Sequence, residues 1–176
     1  MTLNFARGIA AALALAAATS AQAQQTSNNQ VAAKTDGSVF EDKDPKECWA
    51  VSTPSEPSVY TRDGRNVSVK RSVPTLYTFY RPNSDVFGQV TFYGGYPFAS
   101  GSTVNLNIGG EQFELFVEGE WAWPQNPAED SKIIASMKRG ATATLTARSG
   151  RGTQTKDTFS LSGYTAAVEE AEKRCK

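Results

Sequence analysis

The 176-residue chain balances 18 basic against 18 acidic residues and contains no histidine. A surface so evenly charged gives no electrostatic case for nucleic acid or an anionic membrane. Without imidazole there is no Ser-His or Cys-His nucleophile, no His-ligated zinc and no usual proton shuttle near neutral pH, so the expectation is a non-enzyme without cofactor or metal.

Residues 1–23 read as an export signal. One charge, Arg7, precedes an apolar stretch over residues 8–18, and Ala21-Gln22-Ala23 fits an A-x-A cleavage site. The stretch falls short of the roughly 20 strongly apolar residues that a stable span requires. No stable membrane insertion is therefore expected after cleavage, and no cysteine follows the site to carry a lipid anchor. The chain is expected to be periplasmic or secreted, in an oxidising space where disulfides persist. Residues 24–38 are rich in Gln, Asn, Ser and Thr and poor in large apolar side chains. They are expected to form a flexible tether, because they cannot offset their ordering entropy. Residues 39–176 are then one domain, long enough to bury a core. Cys48 and Cys175 are its two cysteines, and in an exported chain such a lone pair reads as one long-range disulfide.

Short runs rich in Val, Thr, Tyr and Phe, split by Gly and Pro, predict strands over residues 68–80, 88–93, 102–108, 112–117, 141–148 and 153–161. The fold class this implies is mainly β, an antiparallel sandwich or barrel. Gly109-Gly110 suits a two-residue hairpin loop, because paired glycines accept the positive φ of primed turns. That register sets Leu106 opposite Phe113 and Val104 opposite Leu115 on an apolar face, with Asn105 opposite Glu114 and Asn107 opposite Gln112 on a polar one. A second hairpin is expected at Ser149-Gly150-Arg151-Gly152.

Two helices are predicted. Over residues 130–140, Asp130 or Ser131 suits the N-cap and Gly140 the stop, with Ile133, Ile134 and Met137 on one face. Over residues 163–174, Tyr164, Ala167, Val168, Ala171 and Cys175 fall on one stripe at helical spacing. Cys175 thus points where that helix is buried, and its bond to Cys48 would staple the helix to the start of the domain.

The run Asp157-Thr158-Phe159-Ser160-Leu161-Ser162-Gly163-Tyr164-Thr165-Ala166-Ala167, followed by a terminal cysteine, resembles the invasion-associated locus B family of bacterial envelope proteins. Arg148-Ser149-Gly150-Arg151-Gly152-Thr153, Ile133-Ile134-Ala135-Ser136-Met137-Lys138-Arg139-Gly140, Gly95-Tyr96-Pro97-Phe98 and Cys48-Trp49-Ala50-Val51 fit the same pattern. The resemblance spans residues 39–176, is most specific at the C-terminal block, and departs over residues 52–71. It implies an immunoglobulin-like β-sandwich with one short internal helix and a C-terminal helix, in a periplasmic or surface-exposed protein. It brings no reaction and no catalytic residues.

Other candidates yield to simpler readings. Glu111, Glu114, Glu118 and Glu120 are local acids, but the hairpin register puts Glu114 and Glu118 on the polar face, as solvated side chains. Ser102 lacks a nucleophile elbow and a histidine. Gly150-Arg151-Gly152 lacks the strand–loop–helix setting of a phosphate loop and reads as a turn. The aromatics remain. Tyr77, Tyr80, Tyr93 and Tyr96 are the candidate binding surface, on the expectation that Phe79 and Phe92 face the core and that Trp121 and Trp123 are core residues. The function expected is binding of an envelope or host protein in envelope maintenance or host-cell contact; the alternative is a glycan- or peptidoglycan-binding module.

Overall fold

A computed structural model describes residues 29–176. The expected export signal, its cleavage site and residues 24–28 of the expected tether lie outside the described residues. The first layer of the fold comprises β1 (Gln30–Lys34), β2 (Gly37–Lys43), β3 (Lys46–Ser52), β6 (Thr75–Arg81) and β7 (Val86–Tyr93), in that order. The second orders β9 (Glu111–Glu118), β8 (Thr103–Ile108), β11 (Thr142–Arg148), β12 (Gln154–Ser160), β4 (Val59–Arg62) and β5 (Arg65–Asn66). Three-residue β10 (Trp121–Trp123) pairs with β7 on one side and β9 on the other, so one hydrogen-bonded ladder runs through both layers. At the opposite seam Pro54 bridges to Phe159, and the Ser55 N–H donates to the Thr158 carbonyl at 2.9 Å. Every strand pairing is antiparallel. The expected β-sandwich is therefore present, folded from a single sheet.

Alternation fills the space between the layers. Val39, Ala50, Leu76, Val90 and Phe92 are buried from the first layer; Val104, Leu106, Leu115, Leu145 and Phe159 from the second. Phe92 and Phe159 meet edge to face with ring centroids 6.2 Å apart. The hairpin register is the one expected: Leu106 opposite Phe113, Val104 opposite Leu115, Asn105 opposite Glu114 and Asn107 opposite Gln112. Gly109 and Gly110 carry φ of 59° and 96°, the region their turn needs. The second hairpin joins β11 to β12 across residues 149–153.

The two helices complete the core. α2 (Tyr164–Arg174) buries Tyr164, Ala167, Val168 and Ala171, the expected stripe, against β2 and β3. Cys175 then bonds Cys48, with Cα atoms 5.8 Å apart. Gly163, at φ 81°, starts α2 where a Cβ would run into the Lys34 carbonyl of β1, so glycine is required there. α1 (Pro127–Arg139) begins a turn earlier than expected. Asn126 is its cap, accepting from the Ala128 and Glu129 N–H groups at 3.0 and 3.1 Å, with Pro127 pre-setting the first turn. Asp130, expected as a cap, is buried instead and accepts from the Val90 N–H at 2.8 Å. This closes the edge of β7 that short β10 leaves open.

The expected tether needs correction. Residues 30–34 form β1, and β2 begins at Gly37, so the fold starts well before Val39. The polar composition of this stretch suits an edge strand: β1 borders only β2, and none of its five residues is deeply buried. The expected strand over residues 68–80 is also too long. Only Thr75–Arg81 is strand, and residues 67–74 cross the structure as an irregular strap.

Candidate functional site: an outward aromatic face

Cys48 and Ala50 of β3 point inward, so Trp49 between them must point out. Ladder register then collects its neighbours: Phe40 lies opposite Trp49 on β2, and Phe79 opposite Trp49 on β6. Phe40 stacks on Trp49 at 5.7 Å, Phe79 lies 6.2 Å from Trp49, and Tyr77 stacks on Phe79 at 5.1 Å. Trp121 of β10 continues the row, 5.9 Å from Tyr77 and 4.7 Å from Tyr93. Six aromatic rings thus cross the outer face of the first layer from β2 to β10 without a break. All are half-buried except Trp121, which is 39% exposed. The Arg81 guanidinium sits 4.1 Å over the Phe79 ring and donates to Glu47 at 2.7 Å and to Gln89 at 3.0 Å, giving the face a polar, charged border.

Of the four candidate tyrosines, Tyr77 and Tyr93 belong to this face; Tyr80 and Tyr96 do not. Tyr80 is 4% exposed and faces the core, while Phe79 faces out, the reverse of what was expected. The register explains the reversal. Leu76 lies opposite Phe92, so Leu76, Thr78 and Tyr80 share the inner face. The Thr78 hydroxyl is held there, 2.9 Å from the Tyr164 hydroxyl of α2. Trp121 and Trp123 are likewise not core residues. Ala122 lies opposite Phe92 and is buried, which turns its two tryptophan neighbours outward. Phe40, Trp49, Phe79 and Trp121 were missed as site residues. The disulfide held the signal: with Cys48 inward, parity alone puts Trp49 on the outside.

Tyr96 belongs to a second cluster beneath a cleft of about 580 Å³. Its hydroxyl lies 2.6 Å from the Thr155 hydroxyl, and burial pushes its pKa up to about 12. The Arg71 guanidinium is sandwiched between the Tyr60 and Tyr96 rings, at 5.1 and 5.4 Å. It donates to the Tyr60 hydroxyl at 3.1 Å, the Gly94 carbonyl at 3.0 Å and the Ser58 hydroxyl at 2.9 Å, and it ion-pairs with Asp157. Both partners of that pair are almost wholly buried. The local acids Glu114 and Glu118 are exposed, as the hairpin register required, and Glu111, beside the turn, is exposed as well. No group of three metal-ligating side chains occurs among the described residues.

The fold and the aromatic face together define a disulfide-clasped β-sandwich with two helices and a chemically distinct outer surface. Residues 90–172 match the model of the family described as Invasion associated locus B (IalB) protein, the stretch that holds most of the resemblance read from the sequence. The chain is also similar in fold to invasion associated protein B from Bartonella henselae. Its crystal structure aligns with 80% of this chain and 94% of its own at a TM-score of 0.55 and 12% identity. No curated protein matches the chain.

Proposed function

We propose that this is an exported envelope protein that works by binding a protein partner through the aromatic face of its first layer, and that it catalyses no reaction. The observation that carries the reading is the unbroken outward row Phe40–Trp49–Phe79–Tyr77–Trp121–Tyr93. Aromatic side chains bordered by Arg81 and polar groups have the composition of a protein-binding hot spot. Stacked pairs such as Phe40–Trp49 and Tyr77–Phe79 spend their ring faces on each other. This suits a flat protein contact better than a sugar, which needs open ring faces. The IalB match, the export signal read in residues 1–23 and the disulfide support an envelope setting, periplasmic or secreted. No helix among the described residues is long and apolar enough to cross a membrane. The role is envelope maintenance or host-cell contact, according to the partner.

A photo-crosslinking residue in place of Trp121, in intact cells, tests the reading. The expected result is one recurrent envelope or host protein, with capture reduced about tenfold when Tyr77→Ala and Tyr93→Ala are added. Retention of the purified protein on cell-wall glycan, lost in the same variants, would replace this reading with the glycan-binding one.

A further inference from the structure

We propose that the cleft bordered by Arg62, Lys70, Tyr96 and Arg151 is a binding site for a phosphoryl-bearing ligand. The site lies apart from the aromatic face and does not depend on it. Its walls come from β4, from the strap over residues 67–74, from the Gly95–Pro97 segment and from the β11–β12 turn. At about 580 Å³ it has the size of a small-molecule site.

The charge around it is one-sided. Arg62, Lys70 and Arg151 line the cleft together with a single carboxylate, Glu120. None of the three cations has an ion-pair partner among the described residues. Arg62 is nonetheless held in place: its Nε and Nη2 donate to the Thr153 hydroxyl at 3.1 and 2.6 Å, leaving its remaining N–H groups for a ligand.

The floor is rigid as well. Arg71 lies against two tyrosine rings and spends four of its five N–H groups on protein acceptors, and Asp157 neutralises its charge, so it shapes the cleft more than it competes for the ligand. Two guanidinium groups and an ammonium lining a cleft with one carboxylate favour a dianion over a monoanion. A phosphate monoester carries about −2 near neutral pH and presents three acceptor oxygens, which arginine forks match. A carboxylate ligand would leave cationic charge uncompensated.

Calorimetric titration of the purified protein tests the site, with inorganic phosphate, glucose 6-phosphate, glucose and acetate as probes. Flotation with phosphatidylcholine vesicles, with and without phosphatidic acid, a lipid phosphomonoester, provides a second arm. The expected result is saturable binding of a phosphate probe with a dissociation constant below roughly 1 mM, weakening as salt rises. Lys70→Gln with Arg151→Gln, both exposed positions, should weaken it about tenfold or more while the thermal midpoint holds. Preference for glucose 6-phosphate assigns a soluble phosphoester; flotation only with phosphatidic acid assigns a lipid headgroup. Absence of saturable binding to every phosphate probe and to both vesicles overturns the proposal. So does acetate binding as tightly, or binding unchanged in the double variant. Trp121→Ala should leave these titrations unaltered, which separates failure here from failure of the protein-binding reading.

Discussion

Two clasps hold this domain, and they work on different states of the chain. Cys48–Cys175 ties β3 to the end of α2 across 127 residues, and Arg71–Asp157 ties the irregular strap to β12 across 86. The covalent clasp needs no particular surroundings; its main action is to restrict the unfolded chain. The ionic clasp exists only once Ser58, Tyr60, Gly94 and Tyr96 have assembled around the guanidinium. Burying both charges costs desolvation that only this full set of partners offsets. One clasp therefore confers stability, and the other makes a single placement of the strap the favourable one.

The largest effect expected is from removing one half of the ionic clasp. Arg71→Met leaves the Asp157 carboxylate buried without its cation, and Asp157 already has one oxygen, Oδ2, with no partner. A loss of about 3–5 kcal/mol should appear in guanidinium denaturation. Adding Asp157→Leu should recover more than half of it, because the lone buried charge goes too. Strict additivity of the two substitutions would show that the pair is not coupled.

Next in size is the disulfide. Replacing both cysteines by alanine should cost about 2–4 kcal/mol. It should also steepen the denaturant dependence, since the unlinked chain expands further when unfolded; the Arg71 variant should leave that slope alone. Equal slopes in both variants would remove the distinction between the clasps.

The same contrast explains what the sequence revealed. The disulfide was readable because a chain read as exported, with two cysteines, has one pairing available, and helical spacing placed Cys175 on the buried stripe. The β8–β9 register was readable because two adjacent glycines fix the turn and alternation fixes the face. Arg71–Asp157 left no such signal: an arginine in an irregular strap pairs with whatever acid the fold delivers, here from β12. The aromatic face was half legible. Tyr77 and Tyr93 were identified, but the parity of β6 depends on its register with β7, which no turn residue announced. Hence Tyr80 exchanged places with Phe79. Trp121 and Trp123 were correctly placed together on one strand face but that face was read as the core, whereas Ala122, opposite Phe92, takes the inner position of β10. The edge strand β1 was hidden by a polar composition that an unfolded tether shares.

The smallest effect expected comes from the second buried acid, which refines the comparison because it has no ion-pair partner among the described residues. Asp130 accepts one hydrogen bond, from the Val90 N–H, and is otherwise desolvated. Desolvation raises its pKa from 3.8 to about 6, and the Val90 hydrogen bond opposes only part of that rise. A folded-state value above the unfolded one means the native chain holds this proton more tightly. The Asp130 contribution is therefore most favourable below pH 4, declines as pH rises from about 4 to about 6, and is flat above that. In Asp130→Asn the side-chain oxygen still accepts from Val90 but carries no charge. The variant should be modestly more stable than the parent at pH 7 and should lose the decline between pH 4 and 6, while the Arg71 and cysteine variants keep it. Denaturation midpoints measured across that window decide the matter: a decline that survives Asp130→Asn would mean that another group carries it.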